Sequence, residues 1–269
     1  MKYRHGLKFD YPEDVHAHMI SPKQVRDDKL DAEFPYYDKS FKLRFVQFFL
    51  QLFMIIVVFP INFFKYGCRV KGKSRLIQFR RSYFRGCITV CNHVFEWDYI
   101  CVRHAMGPRR GYVTVWKENH NSDKGQLMRY AGSIPIPDTN NISAMHKFND
   151  DVGRALSDGK MVHFYPEGSM WYFYEGLRQF MPGAFYYAVT YNKPVFPLAI
   201  SFRPRKGLFK LFNKNEPCVT IEIGVPVYPN QQLTKANAIK DLSERCFKHM
   251  KKMIESNTPD IPEDESAKK

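Results

Sequence analysis

The sequence predicts an α/β fold: a largely parallel or mixed sheet flanked by helices, preceded by a membrane-associated helix near the N-terminus. Three observations carry that reading. Short apolar runs alternate with longer amphipathic stretches over residues 67–256, the pattern of a sheet covered by helices. Twenty consecutive residues, Phe45 to Phe64, pass without a charge. A length of 269 residues and a hydrophobic content of 44% suit one large domain with appendages.

The elements follow in order. Residues 1–40 hold Pro12, Pro22 and Pro35 among mixed charges and few aliphatics, which predicts an irregular N-terminal arm. The aromatics Tyr3, Phe9, Tyr11, Phe34, Tyr36 and Tyr37 suit an arm laid against the main domain. Without a terminal apolar core, the arm is not expected to act as a cleavable signal peptide. Residues 41–66 form the membrane-associated helix. Its uncharged twenty residues would be about 30 Å long, enough to cross the hydrocarbon of a bilayer. Gln47 and Gln51 share a face, however, and Pro60 and Asn62 weaken the far end. A single span and a helix sunk in one leaflet both stay open.

Beyond it, strands are predicted at 68–72, 87–91, 112–116, 160–165, 194–202 and 218–225. Helices are predicted near 97–106, 123–131, 141–157, 182–191 and 234–255. Pro226 and Pro229 close the last strand, and residues 257–269, rich in acids, lysines and prolines, read as a disordered tail.

The net charge of +14 is unevenly placed: residues 41–150 carry 17 basic against 6 acidic groups. Eight of the basic residues (Lys65, Arg69, Lys71, Lys73, Arg75, Arg80, Arg81, Arg85) follow the apolar helix with no acid among them. Such a cluster suits an anionic membrane surface, each charge contributing on the order of 1 kcal/mol. If the helix spans, these charges hold the main domain on the cytoplasmic side. A nucleic-acid partner is not expected, because no helix-turn-helix, RNP or zinc-finger pattern accompanies the charge. The six cysteines lack Cys-x-x-Cys spacing and read as reduced structural thiols, which favours a cytosol-facing site. His93, His104, His120, His146 and His163 show no His-x-x-x-His spacing, so no metal is expected.

The chemistry centres on Asn92-His93-Val94-Phe95-Glu96-Trp97-Asp98, directly after the apolar run Cys87–Cys91. A strand ending there projects His93 from a sheet edge. An Asp five residues on, in the first turns of a helix, can bind one imidazole nitrogen, fix the tautomer and leave the other nitrogen to take a proton from a hydroxyl. Another block, Phe164-Tyr165-Pro166-Glu167-Gly168-Ser169, follows the apolar run 161–163, and Val195-Phe196-Pro197-Leu198-Ala199-Ile200 comes about thirty residues later. Taken alone, Pro166-Glu167-Gly168 can equally be a tight turn after a strand. The aromatics from Trp171 to Tyr187 divide between core and a lining for an acyl chain or lipid interface. A serine hydrolase would need Gly-x-Ser-x-Gly, which the chain lacks.

Blocks of this kind in this order resemble the lysophospholipid acyltransferase superfamily, whose best-known members are the 1-acylglycerol-3-phosphate acyltransferases. The likeness runs over roughly residues 65 to 230 and rests on the first, third and fourth of the family's four blocks: Asn-His-x4-Asp, Phe-Pro-Glu-Gly-Thr/Ser and Val-x-Pro-Val/Leu-x-Ile. The resemblance implies that His93 is the base, Asp98 its orienting partner, and Glu167, Gly168 and Ser169 part of the acceptor site. It implies transfer of a fatty acyl group from acyl-CoA or acyl carrier protein, used as co-substrate without a further cofactor, to a lysophospholipid hydroxyl. The first acceptor it suggests is 1-acylglycerol-3-phosphate, giving phosphatidic acid at a membrane. Three positions depart from the family. Its middle block ends in an arginine thought to hold the acceptor phosphate, and Asp138 stands there. Met170 replaces another arginine, and Pro182 a frequent basic residue. Lys117, Arg178 and Arg203 are the cations near enough in sequence to substitute, with Lys117 and Arg178 preferred. The alternatives are an acceptor with a different headgroup, or a catalytically silent membrane-bound relative.

Overall fold

The computed structural model describes residues 1–108, 111–213 and 215–260. Its strands are β1 (Arg69–Lys71), β2 (Cys87–Val90), β3 (Gly111–Val115), β4 (Ser133–Pro135), β5 (Met161–Phe164), β6 (Val195–Arg203) and β7 (Cys218–Ile223). They form one seven-stranded sheet in the order β1-β7-β6-β2-β5-β3-β4. β6 and β7 are antiparallel and every other neighbouring pair is parallel. The α/β class and mixed sheet read from the sequence are therefore found. β2, β5 and nearly all of β6 are buried on both faces, as continuous apolar runs require in a parallel sheet.

The helices are α1 (Phe41–Phe53), α2 (Phe59–Tyr66), α3 (Lys73–Gln78), α4 (Arg80–Phe84), α5 (Asp98–Met106), α6 (Lys117–His120), α7 (Gly125–Tyr130), α8 (Ile142–Ser157), α9 (Gly183–Thr190), α10 (Phe209–Phe212) and α11 (Lys235–Asn257). Under α8, α9 and α11 lies one core, with Ile88, Val90, Val162, Phe148, Phe185 and Leu242 at its centre. On the other face, Cys91, Val102, Phe196, Leu198, Val219 and Ile221 pack beneath α5 and Tyr66. α8 shows how local sequence builds this. The Asn141 side chain caps its first turn by accepting from the Ala144 amide. Ala144, Phe148, Val152, Ala155 and Leu156 then recur every three or four residues on the buried face. Fully burying a side chain such as Leu156 or Phe148 stabilises the fold by roughly 1.5–3 kcal/mol.

The apolar segment is helical from Phe41 to Tyr66 and is long and apolar enough to cross a membrane. A π-turn at Met54–Val58 joins α1 to α2 just ahead of Pro60. Proline has no amide to donate and crowds the carbonyl four residues back, so the widened register relieves the helix there instead of breaking it. Leu43, Gln47, Met54, Asn62 and Tyr66 are buried along its length, and the opposite face is exposed.

Several expectations need correction. β4 was not among the predicted strands, because three residues ending in Pro135 are too short for a periodicity signal. The one-turn helices α6 and α10 and the short α3 and α4 were missed for the same reason. The disordered tail does not begin at residue 257. Asn257 ends α11, the Tyr3 amide donates to the Pro259 carbonyl at 2.8 Å, and Lys2 bridges Asp260. Residues 261–269 of that expected tail lie outside the described residues. The arm is irregular yet fixed: the Tyr37 amide donates to the buried Asp151 carboxylate at 2.9 Å.

Candidate active site

β2 and β5 run parallel with Val90 beside Phe164, so the residues that leave the two strands emerge together at one sheet edge. Asn92 closes the end of β2. Its amide donates to the Ile200 carbonyl at 3.0 Å and accepts from the Ile200 amide at 2.8 Å, prolonging the β2–β6 ladder through a side chain. His93 follows, and its backbone amide donates to Glu167 Oε2 at 3.0 Å. The first and third sequence blocks are thus joined by a hydrogen bond between residues 74 positions apart.

His93 Nδ1 lies 2.6 Å from Asp98 Oδ2. Asp98 is the first residue of α5 and is 1% exposed. A carboxylate at that end also faces the positive pole of the helix dipole. Its Oδ2 accepts from the Val94 amide as well, at 3.0 Å, and its Oδ1 accepts from the Tyr165 hydroxyl at 2.5 Å. With both oxygens engaged, the acid cannot swing away from the imidazole. The arrangement makes Nδ1 the protonated nitrogen and leaves Nε2 as an acceptor. The His93 side chain is 24% exposed, enough for a substrate hydroxyl to reach it.

Tyr165 also stacks on the His93 ring, centroids 3.9 Å apart and planes within 13°. Burial, and then the Asp98 charge, push its phenol well above its ordinary value, so it remains a donor. Behind it, His163 is fully buried, meets Tyr165 edge-on at 4.5 Å and pairs with Thr89 Oγ1 at 2.8 Å. Desolvation pushes the His163 imidazole down to about 3, which keeps it neutral. The sequence motif alone assigns Tyr165, in the third block, no role. The signal was present, since a tyrosine stands where the family block has phenylalanine.

Glu167 is fully buried. Oε1 accepts from the Arg178 amide at 2.9 Å, and Oε2 accepts from Arg178 Nη2 at 3.0 Å. Loss of water raises its carboxyl above the usual range, opposed chiefly by the Arg178 charge. Gly168 has φ +80°, and a Cβ there would meet Met181 Sδ at 2.6 Å, so the turn after Glu167 requires glycine. Ser169 is 1% exposed and its Oγ accepts from Arg178 Nη1 at 2.6 Å, which places it as a buried tether.

Arg178 is one of the two candidates for the acceptor's phosphate, and its donors are engaged within the protein. Nη1 also donates to the Val15 carbonyl at 2.7 Å, Nη2 to the Ser169 carbonyl, and the guanidinium lies 4.5 Å over Trp171. At 3% exposure it clamps the third block to the arm. The other candidate, Lys117, pairs with Asp138 at 2.8 Å, so the acid standing at the family's arginine position holds a lysine on α6. Arg203 donates to the Gly67 carbonyl and faces Phe209.

The arm crosses this edge of the sheet, which no local pattern announced. His16 Nδ1 pairs with the Glu167 carbonyl at 3.0 Å, and the Trp171 indole donates to the Ala17 carbonyl at 3.1 Å. His18 stacks on Trp116, centroids 4.0 Å apart. Among the described residues, no cluster of three or more His, Cys, Asp or Glu side chains is placed to hold a metal ion.

The comparisons agree with this chemistry. The family described as Acyltransferase matches residues 68–201, which include both halves of the dyad and all of the third block. No curated protein sequence matches the chain. Among solved structures, the fold is similar to the 1-acyl-sn-glycerophosphate (LPA) acyltransferase PlsC from Thermotoga maritima. That likeness has a TM-score of 0.52 at 17% identity and covers 82% of this chain and 89% of that one. The family described as Acyltransferase thus spans the dyad and the Glu167 block, and the sheet has the fold of a solved acyltransferase.

Proposed function

We propose that the protein moves a fatty acyl group from acyl-CoA or acyl carrier protein to the hydroxyl of a lysophospholipid at a membrane surface, with its catalytic domain on the cytoplasmic side. The observation that carries the reading is the 2.6 Å His93–Asp98 contact, with Asp98 fixed by Val94 and Tyr165 and His93 reachable from solvent. In the proposed step, His93 Nε2 takes the proton of the acceptor hydroxyl as its oxygen attacks the thioester carbonyl carbon. The tetrahedral adduct collapses, the carbon–sulfur bond breaks, and the imidazolium returns its proton to the departing thiolate. The products are an ester and a free thiol, with no acyl-enzyme and no metal required. Asp98 stabilises the transient imidazolium. Glu167, Gly168 and Ser169 shape the neighbouring turn on which the acceptor would rest.

The first acceptor to test is 1-acylglycerol-3-phosphate, the acyl acceptor in the name of the Thermotoga maritima enzyme. A lysophospholipid with another headgroup is the second reading, favoured by the pairing of Lys117 with Asp138 and the internal engagement of Arg178. The apolar helix 41–66 and the basic run after it support attachment to a membrane. Purified protein incubated with labelled acyl-CoA or acyl carrier protein and a panel of lysolipids tests the proposal. Ester formation without free fatty acid supports it. Fatty acid release alone indicates a hydrolase, and no turnover with any acceptor or donor indicates a silent relative.

A further inference from the structure

The connection between β6 and β7 carries α10, a single turn that, with Leu208 before it, exposes three apolar side chains. Leu208 is 71% exposed, Leu211 75% and Phe212 52%. Scattered apolar side chains on a surface need no explanation, but these are contiguous with a larger apolar face. Phe209 meets Phe63 at 5.6 Å between ring centroids, and Phe212 meets Phe64 at 5.5 Å. Phe63 and Phe64 belong to α2, whose exposed face continues through Ile56, Phe53, Phe49, Phe45 and Phe41.

The seat of that helix decides how such a face can meet a membrane. Its buried stripe extends from Leu43 to Tyr66, nearly end to end. Polar groups hold it: Arg103 donates to the Gln51 side chain, and Asn62, fully buried, accepts from Cys101 Sγ at 3.5 Å. Crossing a bilayer would mean lifting the whole stripe off the domain and leaving Asn62 and Gln51 in hydrocarbon. Lying along the surface keeps those contacts and turns only the apolar side toward lipid. In that pose α10 faces the lipid beside α2. Lys206 and Lys210, both exposed, flank its apolar tip, and Lys65 ends the adjoining face of α2. An apolar tip with a cationic rim matches a leaflet of anionic lipid.

We propose that α10, with the Leu208 that precedes it, is a second membrane-embedding element, which inserts Leu208, Leu211 and Phe212 into an anionic leaflet alongside the helix 41–66. Two insertion points fix the tilt of the catalytic domain, where one helix alone would leave it free to roll about the helix axis. The inference rests on the membrane attachment proposed above and adds where, and through which residues, the domain is held.

The test uses the full chain. Leu211→Cys is labelled with an environment-sensitive fluorophore; the six native cysteines are buried and give little competing reaction. Vesicles of phosphatidylcholine with or without phosphatidylglycerol are added, some with brominated acyl chains. A blue shift and bromine quenching of the label on phosphatidylglycerol vesicles are expected. The triple variant Leu208→Ser/Leu211→Ser/Phe212→Ser should bind these vesicles weaker by roughly tenfold or more. In detergent micelles it should keep wild-type turnover, since none of the three touches the site. A label that stays in water while the protein co-sediments with vesicles overturns the role of α10 and leaves the attachment through the helix intact. Absence of co-sedimentation on either vesicle overturns the attachment itself, and the proposal with it.

Discussion

Replacing Arg178 with alanine separates two roles for this residue, and the structure assigns an expected size to each. The guanidinium makes four hydrogen bonds inside the protein: two to Ser169, one to Glu167 and one to the Val15 carbonyl. Removing it leaves the fully buried Glu167 carboxylate with only two backbone amides, those of His93 and residue 178. Breaking a buried ion pair from one side costs about 3–5 kcal/mol, a large part of the roughly 5–15 kcal/mol that holds a typical domain folded. The pH dependence has a definite sign. Desolvation already raises the Glu167 carboxyl above its unfolded value of 4.5, and Arg178 is the chief opposing influence. Without Arg178 the folded value rises further. An acid with a raised folded value binds protons more tightly when folded, so stability falls as pH rises from the unfolded value through the folded one. The deficit of Arg178→Ala should therefore be smaller at pH 5 than at pH 7. Urea denaturation at the two pH values measures it, and Arg178→Lys should recover only part of the loss, because an ammonium cannot reproduce the forked contacts. The reasoning is refuted if the alanine variant unfolds at the wild-type midpoint at pH 7 while its KM for 1-acylglycerol-3-phosphate rises. That result would make Arg178 an anion reader after all.

Further expectations concern the dyad and the acceptor. His93→Ala should lower kcat by about 10²–10⁴-fold with little change in thermal midpoint; near-normal turnover would place the base elsewhere. Tyr165→Phe removes one hydrogen bond to Asp98 and keeps the ring stack. A loss of roughly 1–2 kcal/mol corresponds to a fall in kcat of about 5–30-fold, with KM unchanged; wild-type kcat would show that Val94 and the helix terminus suffice to hold the acid. The Lys117–Asp138 pair is exposed and contributes at most about 1 kcal/mol, so Lys117→Ala should leave the denaturation midpoint in place. If the acceptor carries a phosphate monoester read by Lys117, the same variant raises its KM by roughly tenfold, about 1.4 kcal/mol of binding. Equal KM values for variant and wild type would favour another headgroup.

The alternation of apolar runs made the α/β class legible, because burial of one face is written into each element's own periodicity. The His93–Asp98 pair was legible for a similar reason: five residues of chain suffice to bring a side chain and its partner together. The structure differs only in starting the helix at Asp98 itself, which sets the carboxylate at the positive end of α5. The surroundings of Arg178 were not legible, because sequence reports that a cation is near a motif, not whether its donors point outward. Its partners Glu167 and Ser169 sit eleven and nine residues away, but Val15 is 163 positions distant.

What the sequence alone determined, then, is local: which segments are strands or helices, which helix is apolar, and which histidine has an acid in reach. Strand order, the meeting of His93 with Glu167, the Tyr165 grip on Asp98, the path of the arm across the site, and the seat of the helix 41–66 were decided by tertiary structure. These contacts join residues far apart in the chain, and each forms only if the whole set of buried faces and hydrogen bonds is satisfied together. Periodicity fixes what an element must bury; only the assembled sheet fixes what it is buried against.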